Sequence, residues 1–188
     1  GGGGEHNTRP WERARPPGVT VEPGFQGLHV DAGPRTPVAK HELPALVEPF
    51  LDESMRRILE RDPVDVLHGN YWLSGSVAHR LKHALDLPLV ATFHTLARVK
   101  AEAGFDDEPE HRARLEHEVI DCADLMLAST AAERLQLSDL SGAQPSRIDI
   151  VPPGVDHSVF RSSRGEGGGV ADRLGPGVGA VLRFVGGL

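Results

Sequence analysis

Two short apolar runs in the middle of the chain are separated by a stretch whose apolar residues follow a helical period. The runs cover residues 65–68 and 89–93, and they follow Pro63 and Pro88 respectively. Short apolar runs bounded by proline are typical of strands, whereas spacings of three and four residues are typical of helices. This order predicts a strand, a helix and a second strand. The crossover is expected to be right-handed, with the two strands parallel.

Polar residues follow both predicted strands. Residues 68–72 end the first strand, and His94 and Thr95 follow the second. Because the carboxyl ends of parallel strands meet at one edge of a sheet, these residues are expected to lie close together. Ligands of open α/β sheets bind at that edge. The pattern therefore predicts a binding site there.

The alternation of strands and helices continues on both sides of this unit. The spacing predicts a helix over residues 43–59, which Pro49 kinks or restarts. It also predicts a short hairpin or two edge strands within residues 18–30. We predict the α/β class, with a Rossmann-like parallel sheet and helices on both faces. The later elements are predicted as a helix over 109–123, a strand over 125–128, a helix over 131–139 and a strand over 148–151.

Composition and charge narrow the class of protein. With 188 residues, 39% of them apolar, the chain is long enough to bury a core. A formal net charge of -7 and a pI near 5.8 argue against nucleic acid as the main partner. No apolar run approaches the ~20 residues that a membrane span requires, and no secretory signal is evident. We therefore expect a cytoplasmic protein without stable membrane insertion.

The two ends of the chain differ in composition from its middle. Residues 1–17 begin with four glycines and are rich in arginine and proline, so they are predicted to be disordered. Residues 157–179 are rich in glycine, serine and arginine and indicate a linker. Residues 180–188 begin a new apolar strand. We therefore predict a folded domain over residues 18–156, followed by the first strand of a truncated second domain.

Neither cysteine nor metal chemistry is indicated by the spacing of residues along the chain. Cys122 is the only cysteine, so an internal disulfide is excluded, and its place on a predicted helix favours packing over reactivity. The acidic residues 106–108 and the scattered histidines fit no metal-ligand pattern, so we predict no metal site. Arg98 and Lys100 are interpreted as solvated charges of a loop.

Several short motifs occur in a fixed order and carry a family resemblance. They are HGNYWLSG at residues 68–75, TFHTL at 92–96, PSRI at 145–148 and VPPGVD at 151–156. Together they resemble glycosyltransferase family 4, whose retaining sugar-nucleotide enzymes have two Rossmann-like domains in a GT-B fold. More narrowly, they are similar to its branch of inositol-phosphate N-acetylglucosaminyltransferases and sucrose-phosphate synthases.

The resemblance implies the amino-terminal, acceptor-binding domain of such an enzyme, without the family's first strand and glycine-rich loop. Its substrates would be a UDP- or GDP-sugar and a small polyol or sugar, phosphorylated in the branch named above, and no cofactor is implied. We expect this chain alone to be inactive, because the donor domain supplies most contacts to the leaving diphosphate. A non-catalytic sugar-phosphate-binding domain, or a gene fragment acting with a separate donor subunit, remains the alternative. A homodimer is left open.

The resemblance also assigns roles to histidines at the sheet edge. His94 matches a residue beside the donor sugar, so we place it at the catalytic centre as a sugar contact rather than a general base. His68 matches a position near the acceptor. Both could instead be strand-end histidines with structural hydrogen bonds. Asn70 stands where relatives commonly carry histidine, and Trp72 is predicted to pack under the loop.

Four further residues match positions that hold the acceptor phosphate in the inositol-phosphate branch, namely Lys40, Tyr71, Thr95 and Arg112. Two cations and two hydroxyls make a sensible anion pocket. The alternatives are a solvated lysine, a core tyrosine, a capping threonine and an arginine paired with Glu116 on a helix surface.

Overall fold

The computed structural model describes residues 18–61, 63–105 and 110–158. Its contacts divide the chain into two units, Gly1–Pro152 and Pro153–Leu188. The start that is predicted to be disordered and the predicted strand over 180–188 lie outside the described residues. So does the predicted linker, apart from its first two residues. In the second unit, Asp156 Oδ1 accepts a hydrogen bond from the Ser158 N–H at 2.7 Å.

The first described elements are a hairpin and a two-part helix. Strands β1 (Gly18–Glu22) and β2 (Phe25–Leu28) pair antiparallel, as predicted, and Gly24 makes the turn with a φ of 82°. A 3-10 helix, Lys40–Leu46, contains Pro44 and leads into helix α1, Val47–Leu59. The helix thus restarts just before Pro49, because proline fits the first turn of an α-helix, where its missing N–H has no partner to lose.

The central sheet is parallel, and its strands follow sequence order. Among the described residues it contains β3, β4, β5 and β6 as neighbours in that order. The predicted α/β class and Rossmann-like sheet are confirmed. The elements are β3 (Leu67–Asn70), α2 (Trp72–Leu85), β4 (Leu89–Thr92), α3 (Ala97–Glu102), α4 (Glu110–Cys122), β5 (Leu125–Ala128), α5 (Ala131–Asp139) and β6 (Ile148–Ile150).

Helix α3 corrects the interpretation of Arg98 and Lys100 as loop residues. Both belong to this short helix, and Arg98 donates to the Leu140 carbonyl at 2.5 Å. A helix of six residues is too short to show an apolar period, which is why the sequence pattern did not reveal it. No helix in the described part of the chain is long and apolar enough to cross a membrane.

The two faces of the sheet differ in burial. Gly69 lies on the buried face, and a Cβ there would stand 2.9 Å from the Gly75 Cα in α2. Gly75 in turn approaches Val119 of α4, so α2 packs closely between β3 and α4. The buried positions are Leu67, Gly69, Leu89, Ala91, Met126, Ala128 and Ile148, whereas His68, Asn70, Val90, Thr92, Leu125, Leu127 and Asp149 alternate with them and are exposed or half-buried.

A carboxylate joins the start of β4 to helix α2. Asp124 accepts a hydrogen bond from the Leu89 N–H at 2.7 Å and another from the Lys82 ammonium. The Lys82 hydrogen bond, followed by that of Leu89, lowers the pKa of Asp124 below its ordinary value. A carboxylate with a lowered pKa stabilises the fold above its unfolded pKa, and that contribution is lost as the pH falls through the folded pKa.

Asp124→Asn should therefore make the stability of the protein less dependent on pH. Asp124 is about half exposed, so solvent screening limits the expected loss to about 1 kcal/mol at pH 7. The difference in unfolding free energy between the two proteins should narrow as the pH falls below about 4. Urea denaturation at a series of pH values measures it. A difference that stays constant with pH would contradict the argument.

Candidate functional site

The ends of β3 and β4 bring most of the predicted site residues to one edge of the sheet. His68 pairs with Val90 in register, and Asn70 with Thr92. Immediately beyond the strands, the Tyr71 N–H donates to the Thr92 carbonyl at 2.7 Å. The turn after β3 is therefore fixed to the end of β4, and the predicted convergence of the two turns is present.

Both turns contain a residue with a positive φ. Tyr71 has φ 74° and ψ 158°, in a region that is almost restricted to glycine, and His94 has φ 62°. Such conformations cost about 1–3 kcal/mol each and persist only where the surrounding contacts enforce them. They project Tyr71 and His94 from the same edge.

Hydrogen bonds across the edge hold the two predicted histidines. His94 Nε2 lies 2.8 Å from Asn70 Oδ1, and His68 Nε2 lies 2.9 Å from Thr92 Oγ1. Since Asn70 Oδ1 can only accept, His94 Nε2 must carry the proton in this bond. Both histidines are exposed. The structural hydrogen bonds considered for them exist, and they orient the rings without burying them.

Arg112 lies in the first turn of α4 with its side chain fully buried. Its Nε donates to Glu116 Oε1 at 2.6 Å, and Glu116 Oε2 accepts from the Ala97 N–H at 2.8 Å. The alternative of a pair on the helix surface is wrong, because the two side chains are only 0% and 4% exposed. Glu116 thus ties the start of α3 to a buried cation.

The remaining contacts of Arg112 reach two other predicted residues. Its Nη2 donates to the Thr95 carbonyl at 2.9 Å and to Thr95 Oγ1 at 3.2 Å. Its guanidinium carbon lies 5.2 Å from the centre of the Tyr71 ring and 5.8 Å from that of Trp72. These distances allow a cation–π attraction. Trp72 is 3% exposed, in agreement with its predicted packing role. Arg112 therefore joins both turns of the edge.

Lys40 lies apart from this cluster along the chain, as the first residue of the 3-10 helix, and it is exposed. Other residues of that helix, Leu43 and Leu46, line a cavity of about 770 Å³. Tyr71 lines the same cavity, together with Ser74. Tyr71 is thus the residue that the cavity and the Arg112 cluster share.

Sequence reasoning missed two features of this region. Residues 29–37 form one wall of the cavity, although their glycine and prolines indicate only a loop. Glu116 was noted only as a partner of Arg112, whereas it also anchors the Ala97 N–H. A spacing of four residues predicts that two side chains can meet, but it does not predict a third partner from another element.

The edge is suited to binding an anion. Thr95 Oγ1 already accepts from Arg112, so its own proton remains available to a ligand oxygen. The two histidines each add an exposed ring nitrogen, and the buried Arg112 cation lies behind Thr95. Thr95 and the neutral histidines could recognise hydroxyls of a sugar. Together with the Arg112 cation, they could recognise a phosphate.

A family model and a relative of known family match this chain. A model of the Glycosyl transferase 4-like domain matches residues 5–154. The D-inositol 3-phosphate glycosyltransferase of Acidothermus cellulolyticus is 41% identical over 185 residues, which are 95% of this chain and 41% of that protein. The chain thus spans about two fifths of the length of this relative.

Two solved structures share the fold. Sucrose-phosphate synthase from Thermosynechococcus elongatus aligns with a TM-score of 0.70 and 23% identity, covering 78% of this chain and 37% of that one. Anabaena HepE, solved in complex with UDP, aligns with a TM-score of 0.50 and 15% identity over 62% of this chain and 29% of that one. The chain therefore belongs to the glycosyl transferase 4-like domain family, and its described sheet has the Rossmann-like fold of one half of a GT-B glycosyltransferase.

Proposed function

We propose that this domain binds the acceptor in a retaining glycosyltransferase. The enzyme would transfer a sugar from a UDP- or GDP-sugar to a small polyol or sugar that carries a phosphate. The names of the relatives, an inositol 3-phosphate glycosyltransferase and a sucrose-phosphate synthase, support a phosphorylated sugar or polyol, and the UDP bound to HepE supports a nucleotide donor. The observation that carries the proposal is the cluster of Arg112, Thr95 and Tyr71 at the sheet edge.

Thr95 is the residue in this cluster best placed to meet the phosphate. It is exposed, and its hydroxyl oxygen accepts from Arg112. The hydroxyl is polarised by the cation, and its proton can be donated to a phosphate oxygen. Because the Arg112 side chain is fully buried, we assign it a positioning role that acts through Thr95 and Tyr71.

Lys40 is proposed to supply a second positive charge. It is exposed and is the first residue of a helix whose Leu43 and Leu46 line the cavity. Tyr71 would present its hydroxyl between the cavity and the cluster. The acceptor's polyol ring would then occupy the cavity side, and its phosphate the side of Thr95.

His94 is proposed to contact the transferred sugar. Asn70 Oδ1 accepts a hydrogen bond from the His94 Nε2–H and thereby fixes the ring, so the other ring nitrogen is left as an acceptor for a sugar hydroxyl. This role needs no proton transfer. Retaining transfer passes through a positively charged sugar while a diphosphate leaves, and these residues contribute position rather than charge stabilisation.

Calorimetric titration of the 188-residue protein with inositol phosphate tests the acceptor assignment. Thr95→Val removes the hydroxyl with little change in shape, and Lys40→Ala removes the exposed ammonium. Each should weaken binding by about tenfold, the effect of one lost charge-assisted hydrogen bond. Binding, rather than turnover, is the quantity measured.

The control variant is Arg114→Ala, which removes an exposed cation from the same helix as Arg112. It should leave the affinity unchanged. Inositol and inorganic phosphate, titrated separately, distinguish recognition of the ring from recognition of the anion. Equal affinities for the wild-type protein, Thr95→Val and Lys40→Ala would exclude the proposed pocket.

A further inference from the structure

Two histidines and the single cysteine come together where α2 and α4 pack against each other. His79 and His83 lie on α2, and Cys122 is the last residue of α4. One ligand atom from each of the three residues lies within 4.8 Å of the other two. The two imidazole rings are 4.9 Å apart, centre to centre. We propose that this cluster is a binding site for a zinc-class divalent cation.

The backbone places the three donors without strain. Histidines four residues apart lie on one face of a helix, the arrangement by which many helical zinc sites present two ligands. The third donor comes from α4, which packs against α2, where Val119 lies beside Gly75. The metal would therefore connect two elements that are already packed.

The donor chemistry suits zinc. Imidazole nitrogen binds zinc at about 2.0–2.1 Å and thiolate sulfur at about 2.3 Å, so neighbouring donors in a tetrahedral site lie roughly 3.5 Å apart. Closing the largest separation in the cluster takes roughly 1 Å of side-chain movement. The Cys122 thiol would lose its proton to solvent as the sulfur–metal bond forms. Three protein ligands leave a fourth position for water.

Charges of both signs lie near the cluster, Lys82 on α2 and Glu118 on α4. Lys82 is engaged by Asp124, and Glu118 pairs with Arg114 at 2.6 Å. His79 and Cys122 are half-buried and His83 is exposed, so an ion can reach them from solvent.

The site is separate from the candidate acceptor site. Tyr71 precedes the first turn of α2, whereas His83 lies in its last turn. Arg112 likewise lies in the first turn of α4, and Cys122 ends that helix. The two sites thus use opposite ends of the same two helices. The sequence shows no metal-binding motif because the third ligand, Cys122, lies far along the chain from the two histidines.

Cobalt spectroscopy tests the proposal directly. The full chain, free of any histidine tag and dialysed against a chelator, is titrated with Co²⁺ and then with Zn²⁺. A near-ultraviolet band from thiolate to cobalt, together with intense visible bands, is expected at one equivalent of Co²⁺, and Zn²⁺ should abolish both. At Zn²⁺ hundredfold above its Kd, the midpoint of thermal unfolding should rise by about 5–10 °C.

Variants decide whether these three residues are the ligands. Cys122→Ser should abolish the thiolate band, and His79→Gln should weaken Zn²⁺ binding by at least tenfold. His117→Gln, which removes an exposed histidine of α4 that pairs with Asp121, should change neither. Circular dichroism of each variant confirms that it is folded. Cobalt spectra without a thiolate band, or equal losses in His79→Gln and His117→Gln, would overturn the proposal.

Discussion

Replacing Arg112 with methionine is expected to lower the free energy of unfolding by about 3–5 kcal/mol. The substitution leaves the Glu116 carboxylate buried, with a side chain only 4% exposed, and removes its guanidinium partner. An uncompensated buried charge accounts for the size of the effect. It also frees the Thr95 carbonyl and hydroxyl from their donor. Urea denaturation measures the loss.

The same helix provides a matched control. Arg114 and Glu118 have the same spacing and the same 2.6 Å separation as Arg112 and Glu116, but their side chains are 67% and 42% exposed. Arg114→Met should therefore cost less than about 1 kcal/mol. Adding Glu116→Gln to Arg112→Met should recover part of the loss, since glutamine can still accept from the Ala97 N–H. Equal losses for the two single variants would show that burial does not decide the effect.

Gly69→Ala should destabilise the protein by about 1–3 kcal/mol, although only one methyl group is added. The new Cβ would lie 2.9 Å from the Gly75 Cα and 3.2 Å from the Ala78 Cβ, so the strand or the helix backbone must move. Because Asn70 and Tyr71 follow directly, we also expect weaker binding of inositol phosphate. Denaturation and calorimetry measure the two effects.

The comparison for this variant is Gly27→Ala in strand β2. A Cβ at Gly27 would have its nearest neighbours at 3.7 Å, an ordinary contact distance, and little loss is expected. The pair thus separates the effect of overpacking from the general effect of replacing a strand glycine. If Gly69→Ala proved as stable as Gly27→Ala, the close packing of β3 on α2 would be refuted.

The fold was largely predictable because its elements have local signals. Strand β5 and helix α5 have the predicted bounds, since an apolar run and a capping Thr130 mark them. Helix α3 escaped prediction because six residues do not show a period. The glycine contact between Gly69 and Gly75 was also hidden, because it depends on the distance between two packed elements.

The sequence predicted which residues form the site, but not how strongly they interact. The order of the motifs indicated which residues meet at the edge, and the spacing indicated that Arg112 and Glu116 could pair. Burial separates that pair from Arg114 and Glu118, and no local pattern encodes burial. The positive φ of Tyr71 was equally hidden, since its backbone is held by Thr92 of the neighbouring strand.

Tyr71 combines a strained backbone with a ring that contacts two parts of the site. Its backbone occupies a region that favours glycine, whereas its ring borders both the cavity and the guanidinium of Arg112. Glycine there would relieve the backbone strain but would lose a ring that packs against the buried core. A laboratory selection that demands retention of a sugar phosphate would therefore keep the tyrosine, together with its strained turn.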